Sequence, residues 1–333
     1  MHIQISSQDL SYDIIYEKGA LSHLGDYLNT DRKALIVTDS GVPADYAKKA
    51  AACFKEAFTV TIPQGEQSKN IDNYLLILKK MLEANFTRKD CVVAVGGGVC
   101  GDLAAFSASC YMRGLQFYNI PTTVLAMVDS SIGGKTAIDF EGVKNVVGSF
   151  YQPSAVIIDT ETLETLDTRQ VNAGLAEAVK MAATNDAELF DYLEKCDDYK
   201  AHLEEIIKRA NAIKRSVVEE DPQEKGLRKV LNFGHTVGHA IESAAKGKLL
   251  HGECVAIGML LMCSDEAGAR IEKILKKYSL PTECGYDTKD LVDIMKHDKK
   301  ANDKGVSCVW VDRIGSFEFR NMSWDELAER GRK

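Results

Sequence analysis

The segment DCVVAVGGGVCGDLAAFSASCY, residues 90–111, decides the fold class of this chain. A short apolar run leads into Gly96, Gly97 and Gly98, and a helical pattern follows, so the segment predicts a β-strand, a tight turn and an α-helix. Residues without a Cβ atom let the N–H groups of the turn approach a pyrophosphate at the helix N-terminus. The spacing departs from G-x-G-x-x-G, so a glycine turn without a ligand is the alternative. Asp102, directly after the turn, suits either a ribose contact or a helix cap.

The same alternation of strand and helix extends to both sides of this segment. Strand-like runs occupy residues 33–42, 58–63, 115–126 and 154–166, and helical patterns occupy residues 44–57 and 70–86. Strands that alternate with helices pair in parallel, which predicts a doubly wound, Rossmann-like α/β domain over residues 1–167. Strand signals stop near residue 167, so residues 168–333 are predicted to form an all-α second domain. A weak strand pair, SCVWVD and SFEFR, is expected near its end.

Composition and charge restrict the class of protein. The chain has 333 residues, 45% hydrophobic and 27% charged, which is typical of globular proteins and long enough for two domains. A net charge of −8 argues against a general nucleic-acid binder but permits an anionic substrate. The N-terminus lacks a signal-peptide pattern and no apolar run approaches about 18 residues, so no membrane contact is expected. Nine cysteines without a C-x-x-C pair fit buried thiols in a reducing compartment, so we expect a cytoplasmic enzyme or binding protein.

Residues 120–153 combine apolar runs with an unusual density of hydroxyl groups and glycines and with two lysines. The groups that this segment offers to anionic oxygens belong to Thr122, Thr123, Asp129, Ser130, Ser131, Gly133, Gly134, Lys135, Lys144 and Asn145. Lysine is a compact charge that suits phosphate. A surface loop with solvated lysines is the alternative, but the apolar flanks favour a course near the core.

Lys214 stands in an apolar stripe. Ile207 and Ala210 lie seven and four residues before it and Val217 lies three residues after it, so a helix would place all four on one face. A cation on a buried face indicates an anionic partner or a binding site. Snorkelling of the aliphatic stem to the surface is the alternative.

Three of the seven histidines lie within LNFGHTVGHAIESAAKGKLLH, residues 231–251. His235 and His239 share a face of a predicted helix, and His251 begins the next helical stretch. Imidazoles joined by a carboxylate from another helix, with one position left open, are typical of catalytic zinc sites. Glu177, in the small-residue run AGLAEAVKMA, is the best candidate carboxylate. A polar helix face is the alternative, and the absence of H-E-x-x-H disfavours a zinc protease.

Taken together, the motifs resemble those of one family. In chain order they are GEQSK, GGGVCGD, YMRG, PTTVLAMVDSSIGGKT, KNVVGSFYQP, GLAEAVK, LRKVLNFGHTVGHAIE, HGE and DKK. Their order and spacing resemble the 3-dehydroquinate synthases, and so many collinear motifs are far more specific than any one of them. The resemblance implies a dehydroquinate synthase-like fold with the active site in the cleft between the two domains.

The resemblance also implies a reaction. The substrate would be a phosphorylated sugar acid, 3-deoxy-D-arabino-heptulosonate 7-phosphate, and the products 3-dehydroquinate and phosphate, at the second step of the shikimate pathway. NAD would transiently oxidise the hydroxyl at carbon 5, so that the proton at carbon 6 becomes acidic and phosphate leaves before re-reduction, ring opening and aldol closure. Zn²⁺ or Co²⁺ would act as a Lewis acid. The family implies a homodimer, and we expect no nucleic-acid or membrane partner.

Site residues are carried over from the resemblance motif by motif. The implied metal ligands are Glu177, His235 and His251, and His239 becomes an acid/base or substrate-contacting group. The implied substrate-site residues are Asp129, Lys135, Asn145, Lys180, Lys214, Glu224, Arg228 and Asn232, with Lys299 or Lys300, and with Arg113 reaching the dimer partner's site. The implied cofactor residues are Asp39, Gly65, Glu66, Lys69, Gly97, Gly98, Val99, Gly101, Asp102, Thr122, Thr123, Lys135, Lys144, Thr162, Leu163 and Thr165.

The chain departs from the family pattern in three places. Asp139 replaces a common Asn, the usual GKN reads GVKN, and Ala105 replaces a usual glycine, all of which concern loop conformation and cofactor affinity. Arg228, Asn232 and His239 match dehydroquinate-forming members rather than cyclitol-forming relatives. The alternatives are an aminoshikimate-type cyclase, a metal-dependent polyol dehydrogenase and a catalytically inactive NAD-binding protein.

Overall fold

The chain divides into two compact units, Met1–Asp167 and Thr168–Lys333. The computed structural model describes residues 2–7, 10–296, 301–302 and 305–330. The first unit is α/β and the second is mainly helical, which confirms the predicted fold class. Among the described residues, no helix is both long enough and apolar enough to cross a membrane.

The first unit is built on a seven-stranded sheet. The strands of this unit are β1 (His2–Ser7), β2 (Leu10–Tyr16), β3 (Lys33–Asp39), β4 (Glu56–Ile62), β5 (Cys91–Gly96), β6 (Gln116–Pro121), β7 (Lys135–Phe140), β8 (Val143–Phe150) and β9 (Ala155–Ile158). The sheet has the order β1-β2-β9-β6-β5-β3-β4, and β7 and β8 form a separate hairpin. Only the β1–β2 pair of the sheet is antiparallel, so the predicted parallel arrangement holds for the strands that carry the candidate site.

Three helices cover the faces of this sheet. They are α1 (Ala44–Ala52), α2 (Ile71–Glu83) and α3 (Gly98–Cys110). Leu35 and Val92 join a core with α2 and α3, whereas Ile36 and Val93 join a core with α1. Neighbouring residues of a strand point to opposite faces, so a strand buried on both faces reads as one continuous apolar run.

The order of strands reverses between β3 and β5. The chain passes from β3 outward to β4 and then returns to the other side of β3 for β5. The loops that leave the carboxyl ends of these two strands therefore diverge, and open α/β sheets bind ligands in such a crevice. Asp39 ends β3 and the glycine turn follows β5, so both lie at this edge.

The hairpin of β7 and β8 corrects one expectation. Residues 120–153 were expected to run near the core, and Val124, Met127 and Val128 are buried as expected. The expectation is wrong for β8, which is exposed along almost its whole length, including Val147 and Phe150. Among the described strands β8 pairs only with β7, and the exposure of its residues shows that no packed layer covers them within this chain's described part. Apolar residues predict burial only where such a layer exists.

The second unit is a helical assembly with a small sheet. Its helices are α4 (Thr168–Asn185), α5 (Ala187–Lys195), α6 (Leu203–Glu220), α7 (His235–Ala245), α8 (His251–Leu261), α9 (Asp265–Lys277), α10 (Thr288–Lys296) and α11 (Trp324–Arg330). The antiparallel strands β10 (Ala301–Asn302), β11 (Gly305–Trp310) and β12 (Glu318–Ser323) contain the strand pair predicted from the sequence. Every residue from Val171 to Thr184 is buried, which makes α4 the central helix.

Candidate functional site

A buried carboxylate lies on the central helix of the second unit. Glu177 in α4 is 0% exposed, and Lys180, one turn later, is 1% exposed. The ammonium group of Lys180 pairs with Glu177 Oε2. A buried charge requires such compensation because it has lost its hydration. Lysine and glutamate are rarely buried this completely, so the pair marks a candidate functional site.

Two histidines face the other oxygen of Glu177. The Nε2 atoms of His235 and His251 lie 3.6 and 3.4 Å from Glu177 Oε1. Ligand atoms bound at about 2.0–2.1 Å around a tetrahedral zinc ion lie about 3.3 Å apart. Among the described residues these three side chains offer ligand atoms that all lie within 4.8 Å of one another. The group therefore fits one divalent ion.

The hydrogen bonds of the two imidazoles leave their Nε2 atoms directed toward Glu177. His235 Nδ1 lies 3.1 Å from the carbonyl oxygen of Phe233, which can only accept a hydrogen bond, so Nδ1 carries the proton. His251 Nδ1 donates in the same way to Glu242 Oε2 at 3.1 Å. Both tautomers suit a metal bound at Nε2.

The titration of both histidines agrees with their surroundings. Burial lowers the pKa of His235 well below its usual value, and the charge of Lys180 acts in the same direction. Burial also acts to lower the pKa of His251, but hydrogen bonds to Glu177 and Glu242 outweigh it and raise that pKa to about 10. A cation would take the place of the Nε2 proton, because binding of a metal to histidine releases a proton.

Glycines allow the helices that carry these ligands to approach closely. A Cβ atom on Gly252, next to His251, would lie 1.8 Å from the carbonyl oxygen of Ala173 in α4, one turn before Glu177. A Cβ atom on Gly258 would lie 2.0 Å from the carbonyl oxygen of Gly234, next to His235. Only glycine permits these two contacts, and they bring the ligands of three helices together.

His239 lies one turn after His235 on α7. Its ring centroid is 5.2 Å from that of His235 and 5.9 Å from that of His251, and its side chain is exposed. The structure thus places all three histidines in one cluster, with His239 at its outer edge. An exposed imidazole beside a metal-type group can exchange protons with a substrate.

The loop between α6 and α7 carries three further predicted residues, Glu224, Arg228 and Asn232. Asp221 accepts hydrogen bonds from the backbone N–H groups of Lys225, Gly226 and Arg228 at 2.9, 2.7 and 3.0 Å. These bonds fold the loop, and the buried Arg228 side chain donates to the carbonyl oxygen of Pro222 at 2.7 Å. Sequence reasoning missed Asp221, although the turn-forming run DPQEKG was a signal.

Asn232 and Glu224 hold each other at the end of this loop. The Nδ2 atom of Asn232 donates to Glu224 Oε1 at 2.8 Å. Glu224 has a φ of 57°, which L-residues adopt rarely and which is frequent at functional sites. The structure therefore brings together two of the predicted substrate-site residues.

Lys214 lies on the buried face of α6. Its side chain is 4% exposed, and Ile207, Ala210 and Val217 on the same face are buried. Such burial contradicts the snorkelling alternative, in which the ammonium group would reach solvent.

In the first unit, the predicted cofactor residues follow the carboxyl ends of parallel strands. Asp39 ends β3, Gly65–Lys69 follow β4, Gly97–Asp102 follow β5, Thr122 and Thr123 follow β6, and Thr162–Thr165 follow β9. Parallel strands present these ends at one edge of the sheet, so five separate segments share it. Lys135 and Lys144 lie on the hairpin and are exposed, and Asp129 lies in a π-helical turn, Ala126–Ser130.

The start of α3 suits an anion. Gly97 is its N-cap and supplies no side-chain cap, and no acidic residue stands in the first turn. The positive end of the helix dipole and backbone N–H groups there favour a pyrophosphate. The observed strand, turn and helix confirm the structural prediction from this segment, and the residues present fit a dinucleotide.

One buried lysine joins three predicted segments of the first unit. Lys69 is 5% exposed, pairs with Asp102 and donates to Asn145 Oδ1. Asp139 in turn donates its backbone N–H to the carbonyl oxygen of Lys69 at 2.7 Å and accepts the N–H of Asn145 at 2.8 Å. Asn145 has a φ of 52°, so this network stabilises an unusual backbone conformation.

Arg113 lies at the opposite end of α3 from the glycine turn. The helix has 13 residues, which corresponds to about 20 Å at 1.5 Å per residue. Arg113 is exposed, and both it and Met112 have left-handed backbone conformations, with φ of 69° and 50°. Lys299 and Lys300 lie outside the described residues.

Two features define the class of this chain: the ligand-binding edge of the parallel sheet and the cluster of Glu177, His235 and His251. The class is that of two-domain proteins that combine a dinucleotide-binding fold with a site for a divalent metal. The comparisons with known proteins specify it further. Residues 59–173 match the N-terminal family model of 3-dehydroquinate synthase, and residues 174–301 match the C-terminal one. The chain belongs to the 3-dehydroquinate synthase family.

Individual relatives agree with this assignment. The chain is 39% identical to a 3-dehydroquinate synthase of Enterococcus faecalis (strain ATCC 47077 / OG1RF), over 98% of this chain and 97% of the relative. A solved 2-deoxy-scyllo-inosose synthase complexed with carbaglucose-6-phosphate, NAD⁺ and Co²⁺ gives a TM-score of 0.91 at 25% identity, covering 100% and 99% of the two chains.

Two further solved structures have a similar fold. A 2-epi-5-epi-valiolone synthase from Streptomyces hygroscopicus subsp. jinggangensis 5008, with NAD⁺ and Zn²⁺ bound, gives a TM-score of 0.87 at 29% identity, covering 98% and 97% of the two chains. A probable glycerol dehydrogenase from Sinorhizobium meliloti 1021 gives 0.61 at 14% identity, covering 95% and 94%, which shows a shared fold alone.

Proposed function

We propose that this chain converts 3-deoxy-D-arabino-heptulosonate 7-phosphate to 3-dehydroquinate and phosphate. The observation that carries the proposal is the cluster of Glu177, His235 and His251, found in a chain of the 3-dehydroquinate synthase family. Three buried cations that suit an anionic substrate, Lys180, Lys214 and Arg228, lie in the same unit as this cluster.

The two cofactors have separate binding residues. When bound, NAD would supply a hydride acceptor for the transient oxidation of the substrate, and Zn²⁺ or Co²⁺ would supply a Lewis acid. Asp39, Lys69 and the N–H groups at the start of α3 would bind the dinucleotide. Glu177, His235 and His251 would bind the metal.

The remaining predicted residues bind the substrate and move protons. Lys180, Lys214 and Arg228 are buried cations, which suit the carboxylate and phosphate of the substrate because a charge is weakly screened where water is excluded. Asn232, which donates a hydrogen bond to Glu224, would contact a hydroxyl group of the substrate. The imidazole of His239 can hold the proton that is lost when phosphate leaves.

A homodimer accounts for the position of Arg113. The residue follows the C-terminal end of α3, about 20 Å from the glycine turn of the same unit. Met112, beside Arg113, is 43% exposed. Ser149 donates a hydrogen bond from its hydroxyl group to that of Ser109 in α3 at 3.0 Å, which brings the 55% exposed Phe150 to the same end of the helix. Exposed apolar residues therefore adjoin this end. Exposed apolar patches are typical of interfaces. A second copy bound here would receive Arg113 at its substrate site.

The state of the cysteines agrees with a reducing compartment. All nine lie among the described residues as thiols outside any disulfide, and five of them are buried. Unpaired thiols persist in the cytoplasm. We therefore propose a cytoplasmic location.

The test is incubation of the purified protein with the heptulosonate phosphate, NAD and Zn²⁺ or Co²⁺. We expect equal amounts of 3-dehydroquinate and phosphate. Formation of NADH in proportion to substrate without phosphate release would instead indicate a polyol dehydrogenase. Binding of NAD without turnover would indicate an inactive NAD-binding protein, and preference for an amino analogue would indicate an aminoshikimate-type cyclase.

A further inference from the structure

Glu242 places a second carboxylate against the candidate metal ligands. It lies on α7, two turns after His235, and its Oε2 accepts the hydrogen bond from His251 Nδ1. His251 therefore lies between two carboxylates, with Nδ1 directed to Glu242 and Nε2 to Glu177.

The two histidine ligands differ in what holds them. The His235 side chain is 10% exposed, and Nδ1 is fixed by a backbone carbonyl that no side-chain substitution removes. The His251 side chain is 27% exposed, so packing constrains it less, and its Nδ1 partner is a side chain. The orientation of His251 thus depends on Glu242 far more than the orientation of His235 depends on any one side chain.

A second group of candidate ligand atoms, from His239, Glu242 and His251, is also present among the described residues. It shares His251 with the first group, and within it His251 Nδ1 donates to Glu242 Oε2. A carboxylate that accepts the free N–H of a metal-binding imidazole fixes the tautomer and orientation of the ring and raises its basicity. The geometry of this second group matches that arrangement.

We propose that Glu242 is a positioning residue, which holds His251 so that Nε2 faces the metal position beside Glu177. This inference rests on the metal site of the proposed function. It assigns to Glu242 an effect on metal affinity that acts through His251, without direct contact with metal or substrate.

The test is measurement of the Zn²⁺ and Co²⁺ dissociation constants by chelator competition. The proteins compared are the wild type, Glu242→Ala, Glu242→Gln and the control Glu266→Ala, an exposed glutamate on α9. We expect Glu242→Ala to bind about 10- to 100-fold more weakly. Glu242→Gln should lose less, because its side-chain oxygen still accepts the Nδ1–H, and the control should match the wild type.

Thermal unfolding of the metal-free proteins separates positioning from folding, since a positioning role predicts weaker metal binding with little change in metal-free Tm. Wild-type affinity in Glu242→Ala would overturn this inference and leave the metal site standing. Absence of metal binding by the wild type would overturn both.

Discussion

Glu177 is the residue on which the metal proposal most depends. One of its oxygens faces two imidazoles and the other pairs with Lys180, although the side chain is fully buried. Breaking a buried ion pair costs about 3–5 kcal/mol, because one charge is left uncompensated. The charges around Glu177 therefore contribute to stability as well as to metal binding.

His251→Ala removes one of the three candidate ligands. We expect the purified variant to lose bound metal and activity, because two protein ligands hold a divalent ion poorly. Elemental analysis measures the metal directly. The matched control is His202→Ala, an exposed histidine of the same unit that contacts Tyr192, and it should retain metal. Full metal content in His251→Ala would remove His251 from the ligand set.

The sequence predicts the residues of the metal cluster but not the side chains that hold the surrounding groups in position by hydrogen bonds. The spacing of His235 and His239 and the isolation of Glu177 in a small-residue run are visible in the sequence. Asp221 and Glu242 were missed, because one binds backbone N–H groups and the other binds a histidine on a different helix. Such partners are set by the tertiary fold.

Among the elements, α8 depends on its contact with α4. Gly252→Ala would put a methyl group 1.8 Å from the carbonyl oxygen of Ala173, so the two helices must separate. We expect a loss of about 1–3 kcal/mol in unfolding free energy, together with weaker metal binding. Denaturant titration and chelator competition measure the two effects. Gly285→Ala, where no atom lies within 4 Å of the new Cβ, is the control. Equal stability of the two variants would contradict the close packing.

The loop between α6 and α7 should show a pH-dependent contribution from Asp221. Burial acts to raise the pKa of Asp221, but three backbone N–H donors outweigh it and lower that pKa below its ordinary value. A carboxylate with a lowered folded pKa stabilises the fold above its unfolded pKa of about 3.9, and this contribution is lost as the pH falls through the folded pKa.

Asp221→Asn removes this charge with little change in size. We expect a lower Tm than that of the wild type at pH 7. The difference should begin to shrink below about pH 4 and disappear as the pH falls through the lowered folded pKa, where the wild-type carboxylate also becomes neutral. Thermal unfolding across this range measures it. A difference in Tm that stays constant with pH would show that the charge of Asp221 contributes nothing.

The fold was predictable where burial is complete. Strands β3 and β5 read as continuous apolar runs because helices cover both faces of the sheet. The β1–β2 pair and the β7–β8 hairpin were not predicted as strands. β8 in particular is exposed on both faces and so carries no alternation of buried and exposed residues.

At the scale of the whole molecule, the dimer proposal makes Arg113 a residue of the neighbouring site. Arg113→Ala should raise KM strongly, because a contact to the anionic substrate is lost. Lys214→Ala should be inactive, because the substrate loses a buried cation of its own subunit, and mixing it with Arg113→Ala should restore activity. A mixed dimer would contain one site with its own Lys214 and the partner's Arg113. Mixing that restores no activity, under conditions where subunits exchange, would contradict a shared site.

The most direct measurement of the central claim is the amount of phosphate released per NAD when NAD is far below the substrate concentration and Zn²⁺ or Co²⁺ is present. Because NAD is regenerated within each turnover, we predict many equivalents of phosphate per NAD and no accumulation of NADH. Phosphate release should stop when a chelator removes the metal and resume when the metal is restored. NADH formed in step with substrate consumption, with no phosphate released, would contradict the proposal.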